Sequence, residues 1–331
     1  MTKPPIAVIG AGSWGTALAM QLARAGATRL WGRDALQLDT MVAERENTRY
    51  LPGVRFPDAL EPSADLRVAC DGVRDVVIAV PSHAFRETLE RIASHLRPDA
   101  RVAYAVKGFE PGTGTLPHAV VRDVLGGEVP TAVLSGPTFA AEVAANLPTA
   151  IVAATTDADF AATLTRALHH GRFRTYTTDD VTGVEVGGAV KNVLAIAAGL
   201  SDGLGFGANA RAALITRGLS EIVRLGVALG GRQETFLGLA GVGDLVLTCT
   251  DDQSRNRRFG LALGGGADRA AAEREIRQVV EGISAAAETV RLAARLDIEM
   301  PIAVQVDAVA NRGLSPRDAF RALMAREPKA E

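Results

Sequence analysis

Cysteine is scarce in this 331-residue chain: Cys70 and Cys249 are its only two, far apart and in no CxxC spacing. That excludes a disulfide framework and a cysteine-based zinc site, and it fits a reducing compartment, the cytoplasm. Net charge is lacking as well. Thirty-six Lys and Arg against 38 Asp and Glu give 36 − 38 = −2, so nothing global attracts nucleic acid or an anionic membrane, and any anion must be held locally. No uninterrupted apolar run approaches the ~18 residues of a membrane span, because even the apolar stretch at 189–200 carries Lys191. No HExxH or other paired-ligand spacing points to a metal, and no fixed-period repeat is present. A signal-peptide reading of Lys3, the apolar run after it and Ala17-Leu18-Ala19 fails because Gly10, Gly12 and Gly15 interrupt the run.

What is present is an ordinary globular composition, 47% hydrophobic and 22% charged, with length for about two domains. Near-continuous apolar runs at 6–9, 28–31, 67–70, 76–80, 101–105, 132–134 and 150–153 read as strands covered on both faces. Helical patterns alternate with them, as at Phe85, Leu89, Ile92 and Leu96, the arrangement that yields a mostly parallel sheet. After Thr177-Thr178-Asp179-Asp180 the strand signal fades into Ala-, Leu- and Gly-rich helical sequence. The expected fold is therefore α/β: a Rossmann-like domain over 1–180, then an all-helical domain over 181–331. Within the latter, 285–296 reads as a helix, Gly264-Gly265-Gly266 as a loop, and 327–331 as a frayed tail.

The first strand runs into Gly10-Ala11-Gly12-Ser13-Trp14-Gly15, a GxGxxG between a strand and a helix. Gly10 permits the tight turn, Gly12 lets backbone approach a pyrophosphate, and Gly15 permits close helix packing, while the helix N-terminus offers free N–H donors. Ser13 and Trp14 sit in the turn and are expected to touch the cofactor. At the end of the second strand, Trp31 and Gly32 leave room and Arg33 suits a ribose 2′-phosphate, whereas Asp34 suits a free 2′-hydroxyl. NADP(H) is slightly favoured, with NAD(H) retained.

Lys191 interrupts an otherwise apolar helical run with Asn192 beside it. A cation there needs a task or a partner; it is read either as an acid/base with a depressed pKa or as a snorkelling surface lysine. Asp244, flanked by glycine and apolar residues, either orients a lysine or substrate hydroxyl or caps a helix. Ser254-Arg255-Asn256-Arg257-Arg258 suits a phosphate dianion or forms a solvated basic face. Lys107-Gly108 and the run from Ser135 to Ala140 follow strands, where open α/β sheets present ligand loops. His83 is placed to line the cleft; His95, His118, His169 and His170 are read as solvated.

Together with Gly10 to Gly15, the segments Ala79-Val80-Pro81-Ser82-His83, Lys107-Gly108, Ser135-Gly136-Pro137-Thr138-Phe139-Ala140, Gly188-Ala189-Val190-Lys191-Asn192, Asp202-Gly203-Leu204-Gly205 and Ala213-Leu214-Ile215-Thr216-Arg217-Gly218 resemble the bacterial NAD(P)-dependent glycerol-3-phosphate dehydrogenase family. The resemblance continues through Gly238 to Leu245, Ser254-Arg255-Asn256 and Val280-Glu281-Gly282, and so covers essentially the whole chain. It departs at Val106, Ala141 and Arg211, where the family often has Thr, Lys and Lys. The resemblance implies reduction of dihydroxyacetone phosphate to sn-glycerol 3-phosphate, a phospholipid precursor, by a soluble enzyme. It implies Lys191 as general acid/base, with Lys107, Gly136, Thr138, Asp244, Ser254, Arg255 and Asn256 around the substrate. It implies Ser13, Trp14, Arg33, Lys107, Ala140, Arg255, Val279 and Glu281 around the cofactor. Another hydroxyacid or polyol dehydrogenase and a non-catalytic NADP(H) sensor are the competing readings, and a homodimer is left open.

Overall fold

The computed structural model describes residues 4–327; Lys3 and tail residues 328–331 lie outside the described residues. Eight strands form one sheet: β1 (Ile6–Ile9), β2 (Thr28–Trp31), β3 (Leu60–Ser63), β4 (Asp75–Ile78), β5 (Arg101–Tyr104), β6 (Thr131–Ser135), β7 (Thr149–Ala154) and β8 (Phe173–Thr178). Their order is β3-β2-β1-β4-β5-β6-β7-β8. Neighbours are parallel except β6 and β7, which run antiparallel. The central strands are buried along their length because helices cover both faces. The chain order reverses between β1 and β4, so the loops after these strands diverge and leave a crevice, as open α/β sheets do at a switch point.

Three expectations about elements are corrected. Residues 67–70 lie in a helix, Leu66–Cys70, because Asp65 accepts from Arg67 N (2.8 Å) and Val68 N (3.4 Å) and so starts a turn. The strand position beside β2 belongs instead to β3, whose Pro62 is tolerated because β3 is an edge. The other edge, β8, was not expected, since its burial alternates and its exposed residues read as polar loop. The amphipathic helix holds Phe85, Leu89 and Ile92 in the core but ends at Ala93, leaving Leu96 half-buried beyond it.

From Val181 onward the described residues form helices joined by turns and short irregular connections, with no strand among them. The helix Val181–Gly203 is long and apolar enough, by length and composition, to cross a membrane, yet most of it is enclosed by its neighbours. It is wholly buried from Gly183 to Ser201, as the core helix of a bundle. Its closest neighbour, Arg255–Gly264, approaches backbone to backbone: a Cβ at Gly199 would stand 2.0 Å from Arg257 O, and one at Gly260 2.1 Å from Ile196 O. This contact places Lys191 and Asn256, on the two helices, at the same crevice.

Candidate active site

One cleft of about 1200 Å³ opens at the switch point and reaches the helical region. Gly10, Gly12, Ser13, Trp14, Arg33 and Ala140 line it from the sheet side, and Arg255, Val279 and Glu281 from the helical side. Lys107, Thr138, Lys191, Ser254 and Asn256 also line it. Gly15, Gly136 and Asp244 lie behind its wall, buried.

The glycine turn has the geometry of a phosphate cradle. Gly10 has φ +123°, and a Cβ there would stand 2.5 Å from Ala79 O; a Cβ at Gly15 would stand 1.8 Å from Gly10 O. These two are needed for packing. Gly12 is different: nothing lies within 4 Å of where its Cβ would be, so the space is open to a ligand. Gly12 is also the N-cap of the helix Ser13–Ala23 and has no capping side chain, which leaves the first N–H groups to whatever occupies the cleft. The residues fit a dinucleotide pyrophosphate. Trp14 is half-buried, its Nε1 without a hydrogen-bond partner.

Just after β2, Arg33 is exposed and reaches the cleft. Asp34 lines the cleft too and has partners there: its side chain accepts from Gln37 N at 3.2 Å, capping the helix Ala35–Glu44, and pairs with Arg49 at 3.2 Å. Gly32 serves packing rather than room, since a Cβ would meet Leu38 Cδ2 at 2.6 Å and Ala11 Cβ at 2.7 Å. Arg49 and Tyr50 line the same end and were missed; they sit in a polar segment with no pattern of its own.

At the other end two lysines share one carboxylate. Lys191 is 5% and Asp244 1% exposed. Lys191 Nζ donates to Asp244 Oδ1 and, at 2.9 Å, to Thr248 Oγ1. Lys107 Nζ donates to Asp244 Oδ2 at 2.9 Å and to Gly136 O at 3.1 Å. Thr248 Oγ1 gives its own proton to Asp244 O at 2.6 Å and is therefore an acceptor towards Lys191. Burial pushes the Lys191 ammonium down from 10.5 to about 8, with Lys107 assisting and Asp244 opposing. Burial alone would raise the Asp244 carboxyl, but Lys107 and Lys191 hold it below the usual carboxylate range. The snorkelling reading of Lys191 is thus overturned, and Asp244 opens the helix Asp244–Thr250 without capping it through its side chain. A short π-turn, Leu239–Gly243, precedes it and packs on the core helix, where a Cβ at Gly187 would meet Ala240 O at 2.7 Å.

Beside the lysines, Asn192 Nδ2 donates to Lys107 O (3.0 Å), Asn256 Nδ2 to Asn192 Oδ1 (2.9 Å), and Gly282 N to Asn256 Oδ1 (2.9 Å). This chain of amides ties the Lys107 loop to both helical walls. Of the basic run, Arg255 is at the cleft and reaches Gln278 Oε1 at 3.5 Å. Arg257 instead turns inward to Cys249 O (3.1 Å), Asp252 (2.5 Å) and Asp202 (2.7 Å), so it is structural. The Ser254 hydroxyl caps its helix by accepting from Arg257 N at 3.2 Å, and Thr138 Oγ1 donates to Gly136 O at 3.1 Å. His83 lines the cleft, whereas His118, expected to be solvated, bonds through Nδ1 to the buried Glu185 at 2.6 Å. Among the described residues no three His, Cys, Asp or Glu gather as a metal site.

Two family models match the chain: the N-terminus of NAD-dependent glycerol-3-phosphate dehydrogenase over residues 5–161, and its C-terminus over 180–321. The chain belongs to this family. Among its relatives, the glycerol-3-phosphate dehydrogenase [NAD(P)+] of Shewanella amazonensis is 58% identical over 98% of this chain and 97% of its own. The crystal structure of glycerol-3-phosphate dehydrogenase from Coxiella burnetii superposes with a TM-score of 0.95 at 51% identity, covering 98% of this chain and 99% of that one. The Saccharomyces cerevisiae glycerol-3-phosphate dehydrogenase superposes at 0.83 with 26% identity, over 97% of this chain and 99% of its own.

Proposed function

We propose that this chain reduces dihydroxyacetone phosphate to sn-glycerol 3-phosphate with NAD(P)H. The observation that carries the reading is the buried Lys191–Asp244–Lys107 group at one end of a cleft whose other end is an uncapped glycine turn. Gly10, Gly12, Ser13 and Trp14 would hold the pyrophosphate, Arg33 the adenosine end, and Ala140, Val279 and Glu281 the remainder of the cofactor. The reduced nicotinamide, when bound, supplies the hydride. An ammonium has three donors; two at Lys191 are taken by Asp244 and Thr248, which leaves one for the substrate's carbonyl oxygen. With a pKa of about 8, Lys191 is able to give up that proton as negative charge develops there. Two ammonium groups on one carboxylate leave one unit of positive charge, which stabilises the forming alkoxide at the buried end of the cleft. Lys107, Thr138, Ser254, Arg255 and Asn256 are assigned to the substrate, Arg255 to its phosphate, with Gly136 acting through the carbonyl that steadies Lys107.

The division at 180/181 is taken as the domain boundary, with cytoplasmic residence and supply of a phospholipid precursor as the setting. A homodimer is a matter for light scattering. Loss of reduced-nicotinamide absorbance tests the reaction: oxidation of NADPH or NADH by dihydroxyacetone phosphate, and much less by unphosphorylated dihydroxyacetone, is the expected result. Equal rates with the two ketones would remove the phosphate from the reading, and cofactor binding without turnover would make the chain a sensor.

A further inference from the structure

Asn47 has no place in the reading so far, yet it is completely buried beneath the glycine turn. Its Nδ2 donates to Ala11 O at 3.2 Å and to Thr16 Oγ1 at 2.8 Å. Its Oδ1 accepts from Tyr50 N at 3.3 Å and Gln37 Nε2 at 3.4 Å. Gln37 Nε2 also donates to Ala11 O, at 3.1 Å. Because Ala11 O can only accept, the amide orientation of Asn47 is determined, and all four contacts agree with it.

A trans peptide unit points its C=O and N–H in opposite directions. Anchoring Ala11 O on Asn47 and Gln37 therefore aims the Gly12 N–H away from them. Rotation of this peptide would present a carbonyl oxygen to an anion in place of a donor. Gly12 permits such a rotation more readily than other residues do, so the turn needs an external hold. We propose that Asn47, assisted by Gln37, is a positioning residue that locks the Ala11–Gly12 peptide in its donor-outward orientation for the cofactor pyrophosphate. The same amide ties the Arg49–Tyr50 segment to the turn, so both ends of the adenosine diphosphate site are built as one unit. The inference rests on the turn being the pyrophosphate site.

The test compares Asn47→Asp with the parent enzyme. Asp keeps the size and the acceptor but loses the Nδ2 donor to Ala11 O. The NADPH dissociation constant, read by nicotinamide fluorescence, is expected to rise roughly tenfold, the net worth of about one hydrogen bond. The KM for dihydroxyacetone phosphate at saturating NADPH is expected to stay within twofold, and adenosine 2′-phosphate, which lacks the pyrophosphate, to weaken much less than NADPH. Unchanged NADPH affinity, an equal loss for adenosine 2′-phosphate, or a parallel rise in substrate KM overturns the proposal, the last being what general loosening would produce. Should Asn47→Asp not fold, Gln37→Ala removes the second donor from a half-buried side chain, and a loss of roughly threefold is expected there; no loss counts against the proposal. Gly12→Val separates the two premises: if it leaves NADPH binding intact, the pyrophosphate reading fails independently of Asn47.

Discussion

Asp244→Asn tests the catalytic reading most directly, because it keeps the shape of the side chain and removes its charge. In the native site burial and Lys107 depress the Lys191 pKa, and Asp244 opposes them. Two unit charges about 3 Å apart interact by about 5–6 kcal/mol at an effective dielectric of about 20. If relaxation and water entry cancel two thirds of that, about 2 kcal/mol remains, or about 1.5 pH units at 1.36 kcal/mol each. The Lys191 ammonium would then lose its proton about 1.5 pH units below its native value of about 8. In the proposed mechanism, reduction of the ketone needs the ammonium form. At a pH halfway between the two midpoints the native protein holds it in about 85% of molecules and the variant in about 15%, a loss of roughly sixfold from protonation alone. The assay is kcat/KM for dihydroxyacetone phosphate against pH with NADPH saturating. The native profile should fall above about pH 8 and the variant's about 1.5 units earlier; oxidation of glycerol 3-phosphate, which needs neutral Lys191, should rise through the same pH values. A variant that is slow but keeps the native alkaline limb would refute the claim that Asp244 sets the protonation of Lys191.

Four further outcomes follow from the geometry. Lys191→Met should abolish turnover while NADPH still binds and thermal stability holds, since it removes a buried cation and leaves Asp244 paired with Lys107; a thermal midpoint that collapses would make Lys191 structural. Arg33→Ala should weaken NADPH roughly tenfold and leave NADH unchanged, as removal of an exposed contact to a charged phosphate does; parallel losses would place Arg33 away from the 2′-phosphate. Gly15→Ala puts a Cβ 1.8 Å from Gly10 O, so the turn must shift, and both cofactors should bind at least ~10-fold more weakly. Glu185→Gln probes the His118 pair: its bond to Glu185 raises the His118 pKa, so the stability it contributes is complete below about pH 6.5 and lost as pH climbs through the raised value. Urea midpoints across that window should fall in the native chain and stay flat in the variant.

How far the fold and the site are legible in the sequence depends on where each residue's partner lies. The central strands announce themselves because both faces are covered, and apolar residues must then follow one another without a gap. The element at 67–70 is just as apolar, but Asp65, just ahead of the run, decides its conformation through two backbone hydrogen bonds. A capping carboxylate outweighs the composition of a five-residue segment. Lys191 stands out because a charge in an apolar run is costly and asks for a reason; Asp244 and Lys107 supply it from distant segments, with Asp244 Oδ2 2.9 Å from Lys107 Nζ. Thr248 carries a readable signal, lying one helical turn after Asp244 and so on the same face. Asn47, Arg49 and Tyr50 carry none. They are polar residues in a polar stretch, and only the packing of that stretch under the glycine turn gives Asn47 its four hydrogen bonds. Chemistry that strains the composition of a segment can be read from sequence, whereas residues that steady a backbone agree with their surroundings and emerge only when the chain is folded.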